Sequence, residues 1–490
     1  IMFRALSCII IVAIIAPSCS NSQKIKEDLV LALVAGRAIT IQDFIRRSEY
    51  TIRPAYCRQS NYIHKKIVLN SLIAEKLTAL ETDDSNDQLL ESSNFKMFIK
   101  GRKEQAMRKV FYHDSFIDQV SIAEVEIKRN YALAGRTFKV NYINLPDILT
   151  TKKVIELMQE NISLDSIYTS LWEGETPSRS IDWFDKESDF IHDQLFNEEL
   201  EKGALLGPFK TEANNYLIME VLSWTDQPLI TDHDRQTRWN DVDERLTEKI
   251  ATKNYMDYVE QLMSGKKMEL SKAVYSSYAS LAESYYLKDE EEKKKALNKA
   301  IWDDVEQKEL DNIDRHPEIN PSDILFTYDD KEWTIKEFND LLRSHPLVFR
   351  KRKMNKQEFS SQLKLAMADV LRDMEITKIC YYKDLDNDWR VLSDRDQWHD
   401  AYASKRYIEK RFRNEGGSQQ ELLEFFNTVI DSLQEVHSKK IKINMDAFEN
   451  IDLTSTDMVV KHQGLPYPIV VPSFPIITTD DRLDYGSKME

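Results

Sequence analysis

Glycine and proline are scarce: 11 and 13 in 490 residues. An all-β sandwich, which needs a turn every few residues, is excluded by that shortage. Cysteine is sparse too, at four, and no CxxC or HExxH spacing occurs, so the nine scattered histidines form no recognisable metal site. Neither a GxSxG elbow, a Walker loop nor a GxGxxG turn is present. A basic excess is missing as well. The net charge of −16 repels nucleic acid, and no cofactor is implied. What remains is a chain with 42% apolar residues, ample for packed cores, and 31% charged residues, which argue for much exposed helix. Its length suits two to four domains.

Beyond the first 18 residues, no apolar run approaches the ~20 residues of a membrane-spanning helix. Within them, Arg4 precedes an apolar stretch from Leu6 to Ile15, and Ala16-Pro17-Ser18-Cys19 follows. This order of charge, apolar core and small residues is that of a secretory signal. The cysteine after the small residues resembles a lipobox, with Ala16 where leucine is commoner. It implies a signal peptide over 1–18, lipid on the Cys19 thiol and a short tether over 19–28; the alternative is a plain signal with an incidental cysteine. With Cys8 removed and Cys19 acylated, Cys57 and Cys380 remain, either as buried thiols or as a disulfide in an oxidising compartment.

Along the chain, Leu29 to Phe44 predicts two short strands around a turn at Gly36-Arg37, then a helix with Thr40 as N-cap and Asp43 three residues on. Tyr62, Leu69, Leu72, Ile73, Leu77 and Leu80 fall on one face of a second helix. A third spans Phe95 to Phe116 and a short one Ile122 to Tyr131. From Thr137 the pattern is mixed. It predicts strands at 138–145 and 216–222, helices at 152–160, 164–172 and 192–202, an extended piece at 180–184 and a turn at 203–208. Residues 232–313 read as almost wholly helical, with Tyr275, Tyr278, Ala282 and Tyr285 on one face and acidic residues 289–291 four before lysines 293–295.

Trp333-Thr334-Ile335-Lys336-Glu337-Phe338 then echoes Ile39-Thr40-Ile41-Gln42-Asp43-Phe44, each after an apolar segment and a polar turn, which points to a duplicated module. A helix follows at 421–436 and a strand at 441–444. The stretch from Leu465 to Pro475 is proline-rich and extended, either packing along the body or serving as a partner-binding arm.

Three stretches together resemble the extracytoplasmic parvulin foldases of the SurA and PrsA kind: Val34–Phe44 with the helix 61–81; Ile181-Asp182-Trp183-Phe184; and Gly203 to Phe209 followed by Tyr216 to Val221. The resemblance implies an α+β fold, mostly helical chaperone modules with an inserted parvulin-like α/β domain. It divides the chain into a helical chaperone module (29–132), the parvulin-like domain (133–226), a helical connector (227–315), a second chaperone-like module (316–415), a helix and strand (416–464) and the proline-rich tail (465–490). At the two positions where the family carries histidines, this chain has Tyr142 and Leu217, and Asp182 replaces a glycine. Prolyl isomerisation must lower an amide-rotation barrier of ~18–20 kcal/mol. An apolar pocket can do so without a proton donor, so losing the histidines removes a scaffold rather than the logic of the reaction. Trp183, Phe184, Phe209 and Met219 are then either the lining of a peptide groove or plain core. Three functions follow as expectations. The first is a lipid-anchored chaperone of the cell envelope, at the outer membrane facing the periplasm, which binds unfolded or proline-containing clients. The others are a structural lipoprotein in an envelope complex and an active prolyl isomerase.

Overall fold

The computed structural model describes residues 29–489 except 84, 86, 161, 186, 212–214, 288–312, 314–315, 318, 352–353, 413–417, 454–465 and 468. The signal, Cys19 and the charge run at 289–295 therefore lie outside the described residues. The chain is α+β and mostly helical, and it divides into two compact units: one of residues 1–113 and 258–490, the other of 114–257.

The first unit opens with strands β1 (Val30–Val34) and β2 (Arg37–Thr40) and helix α1 (Ile41–Glu49). Their turn falls at Ala35-Gly36, one residue earlier than the sequence suggests, with both residues at positive φ. Thr40 and Asp43 form a reciprocal capping box, which satisfies two otherwise orphaned amides at the helix start. Helix α2 (Tyr62–Asp83) is buried on nearly every side, not along the single apolar face that the leucine spacing suggests. Its other face carries polar residues matched to distant partners. Glu75 takes two bonds from Arg47 of α1 at 2.7 and 3.0 Å, and Lys76 bonds Asp400 at 2.7 Å. Helix α3 (Ser93–Tyr112) follows, and a π turn at His113–Ile117 ends it.

In the second unit come α4 (Glu124–Leu133), β3 (Arg136–Leu145), α5 (Ile148–Gln159), α6 (Leu164–Leu171), β4 (Ser178–Ile181), α7 (Asp189–Phe196), β5 (Leu205–Lys210) and β6 (Tyr216–Asp226). The sheet is antiparallel in the order β4-β3-β6-β5. Helices α5 and α6 cover one face through Val154, Met158, Leu164 and Ile167. On the other face the core draws in Ile127 and Leu133 of α4 together with Val242 and Leu246 of α8 (Asp232–Met263), so this unit reaches past 133–226 at both ends. Three local expectations change. The strand before Trp183 ends at Ile181, α7 starts and stops earlier than 192–202, and only Gly203 and Ala204 of the expected turn are outside strand geometry before β5 begins at Leu205.

Back in the first unit, strand β7 (Met268–Leu270) interrupts the stretch read as helix, and α9 (Lys272–Tyr286) follows. Strand β8 (Ile324–Tyr328) pairs with β7 and with β9 (Lys331–Thr334), which leads into α10 (Ile335–Leu342), capped by Thr334 and Glu337 as α1 is by Thr40 and Asp43. Then come α11 (Lys356–Tyr382), α12 (Trp389–Arg411), α13 (Gln419–His437), β10 (Ile441–Ile443), α14 (Met445–Glu449) and β11 (Ser487–Lys488). Strand β10 pairs antiparallel with β1 and parallel with β11, so the first and last described segments share one sheet. Proline-rich residues 469–483 pack along the body, with Phe474 and Ile477 buried. Cys57 and Cys380 are free and buried, and burial pushes the Cys380 thiol up to about 12.

Candidate functional site

Strand register brings the parvulin-like positions together. Tyr142 on β3 lies opposite Met219 on β6, and Leu217 lies opposite both Asn144 on β3 and Phe209 on β5. Since side chains alternate between faces along a strand, Leu217 and Met219 point to the same side. There they join Tyr142, Phe209 and Trp183 in one apolar cluster. Gly207 permits this arrangement. Its φ is +103°, and a Cβ there would stand 2.7 Å from the Leu217 carbonyl oxygen.

Burial separates the residues that can touch a ligand from those that cannot. Met219 is fully buried and Trp183 is 4% exposed, so both are core rather than lining. Phe184 is 68% exposed and lies outside the cluster. The turn explains the split. Asp182 accepts from the Phe184 amide at 2.9 Å and its own amide donates to Asp185 at 2.8 Å, which throws Trp183 inward and Phe184 outward. Leu217 is buried; Tyr142 and Phe209 are half-buried and form the reachable part.

His192, the one histidine of this stretch, packs edge-on to Trp183 with ring centroids 4.6 Å apart. Its Nε2 lies 3.2 Å from the Trp183 carbonyl oxygen, which assigns the proton to Nε2. Burial first, and the Arg245 guanidinium second, push its pKa down to about 3. A neutral, occupied imidazole supplies no acid–base chemistry here. Sequence reasoning passed over Arg179, whose guanidinium stands 5.5 Å from the Tyr142 ring centroid and pairs with Glu187 at 2.7 Å. Its place two residues before Ile181 along β4, which puts both on one face, was the available signal. It also passed over Gln194, whose Oε1 accepts from the Gly207 amide at 3.1 Å. The site as built offers two half-buried aromatic rings beside a cation, a surface that can hold an apolar or carbonyl-bearing group.

Among the described residues no helix is long and apolar enough to cross a membrane. No protein-family model matches the chain, and neither does any curated protein. Two solved structures are similar over part of it. The peptidylprolyl isomerase PrsA from Bacillus cereus is 13% identical, with 45% of this chain and 88% of that one covered and a TM-score of 0.19. The foldase protein PrsA from Streptococcus pneumoniae is 12% identical, with 46% and 91% covered and the same TM-score of 0.19. Likenesses this distant carry no activity over to this chain.

Proposed function

We propose that this protein is a foldase-like chaperone that holds unfolded polypeptides of the cell envelope without ATP, its isomerase chemistry weak or lost. A lipid on Cys19 would tether it, at the outer membrane facing the periplasm, and its clients would be unfolded or proline-containing envelope and secreted chains. One observation carries the reading. The parvulin-like positions keep an apolar surface at Tyr142 and Phe209 but hold no available histidine, because His192 is buried, neutral and bonded to backbone. Binding without proton chemistry is what such a surface does best.

The test pairs two assays on the chain from Ser20 onward. Suppression of aggregation of an unfolded protein, with proline-peptide isomerisation at background, supports the proposal. Isomerase turnover abolished by Tyr142→Ala would replace it with an active prolyl isomerase. Silence in both assays would point to a structural subunit, to be sought as a stoichiometric partner on purification. Metabolic labelling with a fatty-acid analogue, lost in Cys19→Ala, checks the tether.

A further inference from the structure

The C-terminal segment is bound like a ligand. Residues 469–483 form neither helix nor strand. Their burial repeats every three residues: Val470, Ser473 and Ile476 are exposed, whereas Pro472, Phe474, Pro475, Ile477 and Thr478 are buried. Three residues per turn is the period of a polyproline II helix, the form in which proline-rich peptides enter grooves.

Three of the groove's polar contacts read main chain. Arg47 of α1 donates to the Ser473 carbonyl oxygen at 2.7 Å, and Asn70 of α2 donates to the Asp480 carbonyl oxygen at 2.7 Å. Asn427 of α13 accepts from the Thr479 amide at 3.0 Å, and it also reads two hydroxyls, accepting from Thr478 at 2.9 Å and donating to Thr479 at 3.0 Å. The Arg47 donor is held in place by Glu75. Every polypeptide offers such carbonyls and amides. Side-chain type matters at that threonine pair and at two apolar sockets, one taking Phe474 and one taking Ile477 beside Ala74, Phe426 and Ile430. Further contacts particular to this tail lie toward its end, where Arg482 reaches Asp431 at 2.7 Å, Tyr485 donates to Asn70 at 2.6 Å, and β11 pairs with β10.

We infer that the groove formed by α1, α2 and α13 is a binding site for extended, proline-containing polypeptide, and that residues 469–479 occupy it in place of a client. The end of the tail keeps its own anchors while that segment gives way. This deepens the proposed function and rests on its reading that the chain binds unfolded polypeptide.

The test uses the chain from Ser20 onward, which carries neither Cys8 nor Cys19, with Ser473→Cys bearing a spin label; Cys57 and Cys380 are buried, and the Ser473 side chain is exposed. Added probes are a synthetic peptide of residues 469–483 and reduced, carboxymethylated α-lactalbumin. Saturable release of the label by both, each competing with the other, is the expected result. Release by neither, or by the peptide alone, overturns the inference, since the tail is then core or its groove is private. Phe474→Ala should tighten capture of the free peptide by about tenfold or more, because losing a buried phenylalanine weakens the competing contact at least that much. Unchanged affinity in a folded variant also overturns it. If both probes release the label but the chain fails to suppress aggregation, the groove stands and the holding function falls.

Discussion

Two hairpin–helix modules in the first unit, residues 30–49 and 324–342, share one local construction and differ in what surrounds it. Each has two short antiparallel strands, a turn of two positive-φ residues and a Thr-capped helix with a carboxylate at its third position. Each buries one phenylalanine completely, Phe44 and Phe338. Past those shared parts they diverge. Helix α1 sends Arg47 into a buried ion pair with Glu75, side chains 1% and 3% exposed, whereas α10 meets α9 through a neutral bond from Tyr278 to Asn339 at 2.8 Å. The strands and caps depend on neighbours in sequence; the buried polar pairs depend on which distant helix arrives.

The largest expected effects test whether the shared parts are equivalent. Phe44→Ala and Phe338→Ala should each cost about 3–5 kcal/mol of unfolding free energy in urea titration, the range for truncating a buried phenylalanine. The divergent parts should then separate the modules. Arg47→Met leaves Glu75 charged and buried, a loss of about 3–5 kcal/mol. Tyr278→Phe removes a neutral bond and should cost only about 1 kcal/mol. Equal losses from those last two would mean that the ion pair is solvated and the contrast is not energetic.

The first module also borders a pH-sensitive group. Burial raises the Asp394 carboxyl of α12 from 3.8 to about 6; Lys109, Asp43, Arg46 and Arg102 are the charges around it. A folded pKa above the unfolded one means that the folded state favours the protonated carboxyl. The associated stability is present below about pH 4 and is lost as pH rises through about 6. Asp394→Asn should flatten that fall in pH-dependent melting. A slope unchanged in this window would place its origin elsewhere.

How far the sequence reveals this protein follows the same division. The echo of Ile39–Phe44 in Trp333–Phe338 and the Thr40 cap were legible, because a capping box spans four residues and needs no partner. The near-complete burial of α2 was not. Its Asn70 meets Gln434, and its Thr78 meets Ser404, each more than 300 residues away, and no periodicity announces such a partner. At the candidate site, Trp183 and Phe184 are adjacent aromatics with equal claims in sequence. Only the Asp182–Asp185 turn decides which one enters the core. Capping itself is the next comparison: Thr40→Ala and Thr334→Ala should each cost about 1 kcal/mol. The loss should be greater for Thr40, which is buried while Thr334 is half-exposed.

The turns provide the finest contrast and the smallest effects. The first module places Gly36 at φ +89°, and the second places Asp330 at φ +62°. Nothing lies within 4 Å of a Cβ built on Gly36, so Gly36→Ala has no steric cost beyond the left-handed backbone itself, about 1 kcal/mol. Asp330→Gly should run the other way and stabilise by about 0.5 kcal/mol, since aspartate tolerates that region less freely than glycine. If the two turns do the same job, the exchange has opposite signs in the two modules. A destabilising Asp330→Gly would instead mean that the aspartate side chain contributes to its turn, and the modules would then differ even in the part that looks most alike.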